Sequence, residues 1–273
     1  MIPIIVLIVT SVALALSFTV VFIPWLVTGF FSPLVFIMVF TIGNSILLYG
    51  VFERRSPLFG KIIWKSANNN AAVSLTFDDG PHEPYTSQIL DILAHYNVKA
   101  TFFTIGENAA QYPEIVKRIV KEGHEIGNHT YTHDVLPLKL PRYICDQIRR
   151  TSDLIEYITG VRPVLFRAPH GWRNPWMNKI VKEEGCIPVA WTLGVWDTDR
   201  PGADKIITRT LKGVENGCIL LLHDGRGVES KADSSQLVEA LPIIIHRITE
   251  MGYIFLTLSK LIEEAPKRCQ TRR

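Results

Sequence analysis

The chain has 273 residues, with 29 Lys+Arg against 26 Asp+Glu, a net charge of +3 and 47% hydrophobic residues. That balance is too even to mark a nucleic-acid binder, and the aliphatic content excludes intrinsic disorder. Cys145, Cys186, Cys218 and Cys269 form no CxxC pair, which argues against a thiolate zinc site or a disulfide scaffold and for reduced, buried thiols.

The averages conceal an asymmetry, because residues 1–52 contain no Asp, Glu, Lys, Arg or His. Two aliphatic runs, 2–24 and 31–52, flank the break Pro24-Trp25-Leu26-Val27-Thr28-Gly29-Phe30. Each run has about the ~20 residues that a helix needs to span hydrocarbon. The expectation is a transmembrane segment over 1–52, a two-helix hairpin anchored in the lipid bilayer. A cleaved signal peptide fits less well, since no basic leader precedes the run. Arg54, Arg55, Lys61 and Lys65 follow at once, and the positive-inside bias favours the cytoplasmic face for the rest of the chain. Residues 53–70, ending in Asn68-Asn69-Asn70, read as a juxtamembrane linker, 71–264 as one globular domain and 265–273 as a basic tail.

Within the domain, β-rich runs at 73–77, 101–105, 125–127, 164–167, 188–191, 219–222 and 253–256 alternate with amphipathic runs. The helical patterns fall near 84–96, 108–122, 141–159, 175–184, 203–214 and 234–251. Such alternation predicts an α/β fold with a parallel sheet, here a distorted (β/α) barrel of about seven strands. Polar residues follow the strand ends at Asp78-Asp79-Gly80, Asn128-His129, Arg167-Ala168-Pro169, Asp197 and His223-Asp224. The carboxyl ends of parallel strands form one rim, so these groups are expected to meet at one mouth.

Two clusters there carry metal-ligand logic. His129 and His133 stand four apart, a spacing that can aim two imidazoles at one ion. Asp78 and Asp79 adjoin at a strand end; one carboxylate could complete a His₂Asp site and the other serve as general base. Alone, an HxxxH pair is more often a surface or core feature, and Asp-Asp-Gly a turn. Their joint placement after strand ends favours a metal.

Five motifs occur in order: Thr76-Phe77-Asp78-Asp79-Gly80-Pro81, His129-Thr130-Tyr131-Thr132-His133, Arg167-Ala168-Pro169-His170-Gly171, the segment 191–197, and Leu221-Leu222-His223-Asp224. From about residue 71 to 261 the chain resembles the polysaccharide deacetylase family, the NodB-type domain of carbohydrate esterase family four. The resemblance implies a hydrolase that removes N-acetyl groups from an amino-sugar polymer or glycoconjugate. It implies a divalent metal, zinc by the family's habit, on Asp79, His129 and His133. Asp78 corresponds to the general base and Arg167 to the arginine that holds it. His223 corresponds to the general acid and Asp197 to the carboxylate that orients it. The backbone N–H of His170 corresponds to an oxyanion donor. Gly171, Leu221, Trp191 and Trp196 are the expected lining of the substrate pocket.

This sequence departs from the family at His170 (usually Tyr), Ala168 (often Pro), Gly194 (often Asp) and Thr198 (commonly Trp). The anchor and basic flank motivate an alternative, a deacetylase or deformylase of a lipid-linked amino sugar at the membrane face; family habit also allows an extracytoplasmic enzyme. A non-catalytic carbohydrate-binding relative is disfavoured, because Asp78, His129 and His223 are all present.

Overall fold

A computed structural model describes residues 33–67, 70–228 and 232–263, with side chains from residue 37 onward. The second apolar run is helix α1 (Pro33–Phe52). Its Ile37, Val39, Ile42 and Ile46 are each at least half exposed. The expected transmembrane hairpin is not supported: its first run and turn lie outside the described residues. Among the described residues, no helix is long and apolar enough to cross a membrane.

After α1 the chain alternates as expected. Strand β1 (Ala72–Asp78) leads to α2 (Tyr85–His95), then β2 (Thr101–Thr104), α3 (Gly106–Gln111) and α4 (Pro113–Lys121). Next come β3 (Glu125–Asn128), α5 (Pro141–Thr159), β4 (Leu165–Phe166), α6 (Met177–Glu183), β5 (Ile187–Pro188) and β6 (Leu193–Gly194). The chain continues through α7 (Ala203–Gly213), β7 (Ile219–His223), α8 (Ser235–Glu250), β8 (Ile254–Phe255) and α9 (Leu258–Glu263). The sheet order is β5-β4-β3-β2-β1-β7-β6, with β8 beside the start of β1. Every pairing is parallel, and β5 does not pair with β6, so the barrel is curled but open.

β1 lies at the centre and is buried along its whole length, the pattern of a parallel strand covered on both faces. Its side chains alternate. Val73, Leu75 and Phe77 pack outward with Ile89 and Leu93 of α2, Leu220 and Leu222 of β7, and Leu241 and Ile244 of α8. Thr76 and Asp78 therefore face into the curl. The other end of the curl is filled by Phe103, Leu165, Ile219 and, from α9, Leu258 and Leu261.

Three expectations need correction. The helix near 108–122 is two helices, because Tyr112 (φ −125°, ψ 56°) leaves helical geometry ahead of Pro113. The strand expected at 188–191 stops at Pro188, and a separate β6 begins at Leu193. Between them the carbonyls of Trp191 and Thr192 accept hydrogen bonds from Arg54 and Arg55 rather than from a strand. Cys186 and Cys218 are buried thiols, but Cys145 is only half-buried.

Candidate active site and metal centre

Asp78 ends β1, and its pairing with β2 and β7 sets it directly opposite Phe103 and His223. The carboxylate of Asp78 accepts a 2.6 Å bond from Arg167 Nη1. Arg167 is fully buried and gives its remaining bonds to Thr76 Oγ1 (2.8 Å) and the Ala190 carbonyl (3.0 Å). Burial pulls the guanidinium pKa down, opposed by the Asp78 charge. That guanidinium fixes one oxygen of Asp78 and leaves the other 3.8 Å from His129 Nε2.

The next residue turns the opposite way. Asp79 has φ 75°, which swings its carboxylate away from Asp78 and toward the histidines. Asp79 Oδ1 lies 3.3 Å from His129 Nε2 and 3.0 Å from His133 Nε2. Its Oδ2 accepts the Gly227 N–H at 2.9 Å. Burial disfavours the charge on Asp79, but His133 and the hydrogen bonds from both imidazoles outweigh it and hold the carboxyl well below its usual range. The three ligand atoms lie within 4.8 Å of one another.

The histidines are oriented from behind. His129 Nδ1 pairs with the Arg167 carbonyl at 2.8 Å, which commits Nε2 to the cluster. Gln147 of α5 reaches under the following loop and accepts from Tyr131 N–H, Thr132 N–H (both 2.9 Å) and Thr132 Oγ1 (3.1 Å). Asn128 donates to the Ile148 carbonyl and Ser152 Oγ, tying the end of β3 to the same helix. These donors fit a small divalent ion: two imidazole nitrogens and one carboxylate oxygen, with His129 and Asp79 each held by the protein through a second atom, the pattern of open zinc sites.

On the far side, Asp197 grips His223 twice, accepting from its N–H at 2.8 Å and pairing with Nδ1 at 2.9 Å. Burial works against a charged imidazole, but Asp197, and then Asp79 and Asp78, push the His223 pKa up to about 10. Its Nε2 therefore carries a proton at neutral pH. The Asp78 carboxylate, the Asp79–His129–His133 cluster and the His223 imidazole thus sit around one mouth.

The expected pocket lining is partly assembled. A Cβ on Gly171 (φ 71°) would meet the Trp191 ring, and one on Gly194 would come within 3.1 Å of Trp191 Nε1. Both glycines leave room for the Trp191 ring. Leu221 borders the same spot. Trp196 does not join it; at 65% exposure it stands in solvent. The ring of His170 lies 5.0 Å from that of His133 and edge-on to it, so its side chain also belongs to the site.

Sequence reasoning missed several supports. Asn108 Nδ2 donates to the carbonyls of Asp79 (2.7 Å) and Gly227 (2.9 Å) and bolts two site loops together. Gln147 had no motif to reveal it. Thr76 stood in the first motif but drew no role. Asp79, Thr130, His133, His170 and Trp196 all have positive φ without being glycine. Such residues cost about 1–3 kcal/mol each and persist where surrounding contacts over-determine them, as at functional sites.

The family model for polysaccharide deacetylase matches residues 65–188. The chain is 38% identical over 212 residues to the peptidoglycan-N-acetylglucosamine deacetylase of Bacillus cereus, covering 74% of this chain and 93% of that one. It is 35% identical over 214 residues to the chitooligosaccharide deacetylase of Bradyrhizobium sp., covering 75% and 97%. Among solved structures it is similar to the Bc1960 peptidoglycan N-acetylglucosamine deacetylase, with TM-score 0.70 and 35% identity over 74% of this chain and 92% of that one. It is also similar to BA3943 of Bacillus anthracis, described as a pseudoenzyme, with TM-score 0.69 and 30% identity over 77% and 70%. This chain belongs to the polysaccharide deacetylase family and is a hydrolase of carbon–nitrogen bonds other than peptide bonds.

Proposed function

We propose that the protein removes N-acetyl groups from an amino-sugar polysaccharide by attack of water on the acetamide carbonyl. The observation that carries this reading is one constellation. Three ligand atoms lie within 4.8 Å of one another. Arg167 holds Asp78 beside them, and Asp197 holds His223 opposite Asp78 on the next strand.

Asp79, His129 and His133 would hold a divalent ion, which when bound would supply Lewis acidity and a water of pKa nearer about 7; the donor set suits zinc. Asp78 accepts the proton of the attacking water, with Arg167 fixing the oxygen that does not react. The water oxygen bonds to the carbonyl carbon, and the carbon–nitrogen bond then breaks. His223 delivers a proton to the departing amine, and Asp197 stabilises the cation that makes this possible. The backbone N–H of His170 is the proposed oxyanion donor, and Trp191, Leu221 and Gly171 the wall around the acetyl methyl.

The similar deacetylases of Bacillus cereus and Bradyrhizobium are named for peptidoglycan and chitooligosaccharide, which favours a polymer over a lipid-linked sugar. We further propose membrane attachment through residues 1–52, supported by the absence of charge there and by the exposed apolar side chains of α1. The basic flank has a structural use: Arg54 and Arg55 bind carbonyls of the domain, and Lys65 pairs with Glu215 at 2.7 Å. It is therefore weak support for a cytoplasmic domain, and a wall polymer calls for the outer face.

Replacing His129 or His133 by Ala is expected to remove the bound metal and to lower acetate release by three orders of magnitude or more, about 4 kcal/mol of transition-state stabilisation. Metal analysis beside an acetate assay checks this, and full activity in a metal-free variant refutes it.

A further inference from the structure

The segment that leaves α1 does not hang free. The Arg173 N–H donates to the Val51 carbonyl at 3.1 Å. The fully buried Arg173 guanidinium donates to the carbonyl of Ser56 at 2.5 Å and to that of Glu53 at 3.4 Å. Arg173 lies three residues past His170, on the loop that borders the metal ligands.

Two lines of contact run from this junction to the reacting groups. In the first, Phe52 meets Trp172 edge-on with ring centres 5.1 Å apart. Trp172 lies 5.1 Å from His170, and His170 lies 5.0 Å from His133. In the second, Arg54 donates through Nε to the Trp191 carbonyl at 3.1 Å and places its guanidinium 5.2 Å from the centre of that indole. The same ring lies 5.8 Å from the guanidinium of Arg167, which holds Asp78.

We propose that Phe52 and Arg54, at the exit of the N-terminal helix, are positioning residues of the active site. Phe52 sets the ligand His133 through Trp172 and His170, and Arg54 sets the substrate wall Trp191. The apolar N-terminal segment is thereby coupled to catalysis as well as to attachment. A guanidinium over an indole, partly desolvated, is strong enough to fix a ring. A misplacement of about 1 Å at a site of this kind can cost a hundredfold in rate. This inference rests on the deacetylase reading for its kinetic arm only.

The test uses the full chain in detergent micelles, loaded with metal, as wild type, F52A, F52L, R54M and R54K. For R54M we expect KM for N-acetylglucosamine oligomers to rise about fivefold to tenfold at unchanged metal content, with R54K recovering most of the loss. A variant that merely lowers the folded fraction leaves KM where it was. For F52A we expect altered visible absorption of the Co2+-loaded protein, reporting a changed ligand set, with F52L closer to wild type. Wild-type KM in R54M together with a wild-type cobalt spectrum in F52A overturns the proposal. A wild-type chain that binds Co2+ but releases no acetate from any substrate refutes the deacetylase reading instead, and the cobalt comparison then decides this one.

Discussion

Asp78 and Asp79 are neighbours with the same side chain, and adjacency alone could not say which would join the histidines and which would stand apart from them. The backbone separates them: Asp78 is the last residue of β1 and keeps the strand's alternation, whereas Asp79 at φ 75° turns out of it. The histidine spacing and the order of motifs were legible in the sequence. Arg167, which holds Asp78 through its guanidinium and His129 through its carbonyl, was legible as a partner but not as a fully buried one. Removing one member of a buried ion pair strands the other, typically at 3–5 kcal/mol. R167M is therefore expected to lower unfolding free energy by about 3 kcal/mol or more, measured by urea titration, while R167K loses less. At His223 the sign of the pH effect follows from its environment. Its pKa is pushed up to about 10 chiefly against burial by Asp197, and a general acid works only below its pKa. D197N removes that charge and lowers the pKa, so the alkaline limb of kcat/KM should move down by about 1–2 pH units. An unmoved limb contradicts the assignment of His223 as acid.

Elements place these residues by means the hydrophobic pattern shows only in part. Long periodic segments were readable: α5 and α8 fall where the spacing predicts them. Two-residue strands such as β6 carry no period to read, and Pro113 splits what looks like one helix. What a helix does for a distant loop is less visible still. Gln147 sits on the buried face of α5 among apolar residues, a position that reads as core, yet it accepts three hydrogen bonds from the loop between His129 and His133. Q147A leaves those donors unsatisfied, at about 1–3 kcal/mol, and frees the loop. Metal affinity should fall about 10–100-fold, the usual cost of losing an outer-shell contact. Competition with a chromophoric chelator measures it, and an unchanged affinity assigns Gln147 to packing alone.

On the scale of the whole molecule, charge is partitioned sharply: no Asp, Glu, Lys, Arg or His stands before residue 53, and all of them lie from it onward. Membrane attachment predicts that the full chain stays in the pellet after a carbonate wash, and that a chain beginning at residue 53 does not. Composition made that partition obvious, but not the way the boundary is built. Residues 53–70, ending in Asn68-Asn69-Asn70, read as a linker. In the structure Arg54 and Arg55 bind Trp191 and Thr192, and Thr192 Oγ1 binds the Trp64 carbonyl, contacts that join positions more than 120 residues apart. No local pattern announces such pairs. The open barrel then gathers five strand ends at one mouth, and the account stands on what that mouth does. The most direct measurement is acetate released from N-acetylglucosamine oligomers and from peptidoglycan by the full chain, before chelation, after it, and after zinc is returned, with D78N alongside. The account predicts release that chelation abolishes and zinc restores, and that D78N lowers about a hundredfold or more without losing the metal. Release that survives complete metal removal, or a D78N variant as active as wild type, contradicts it.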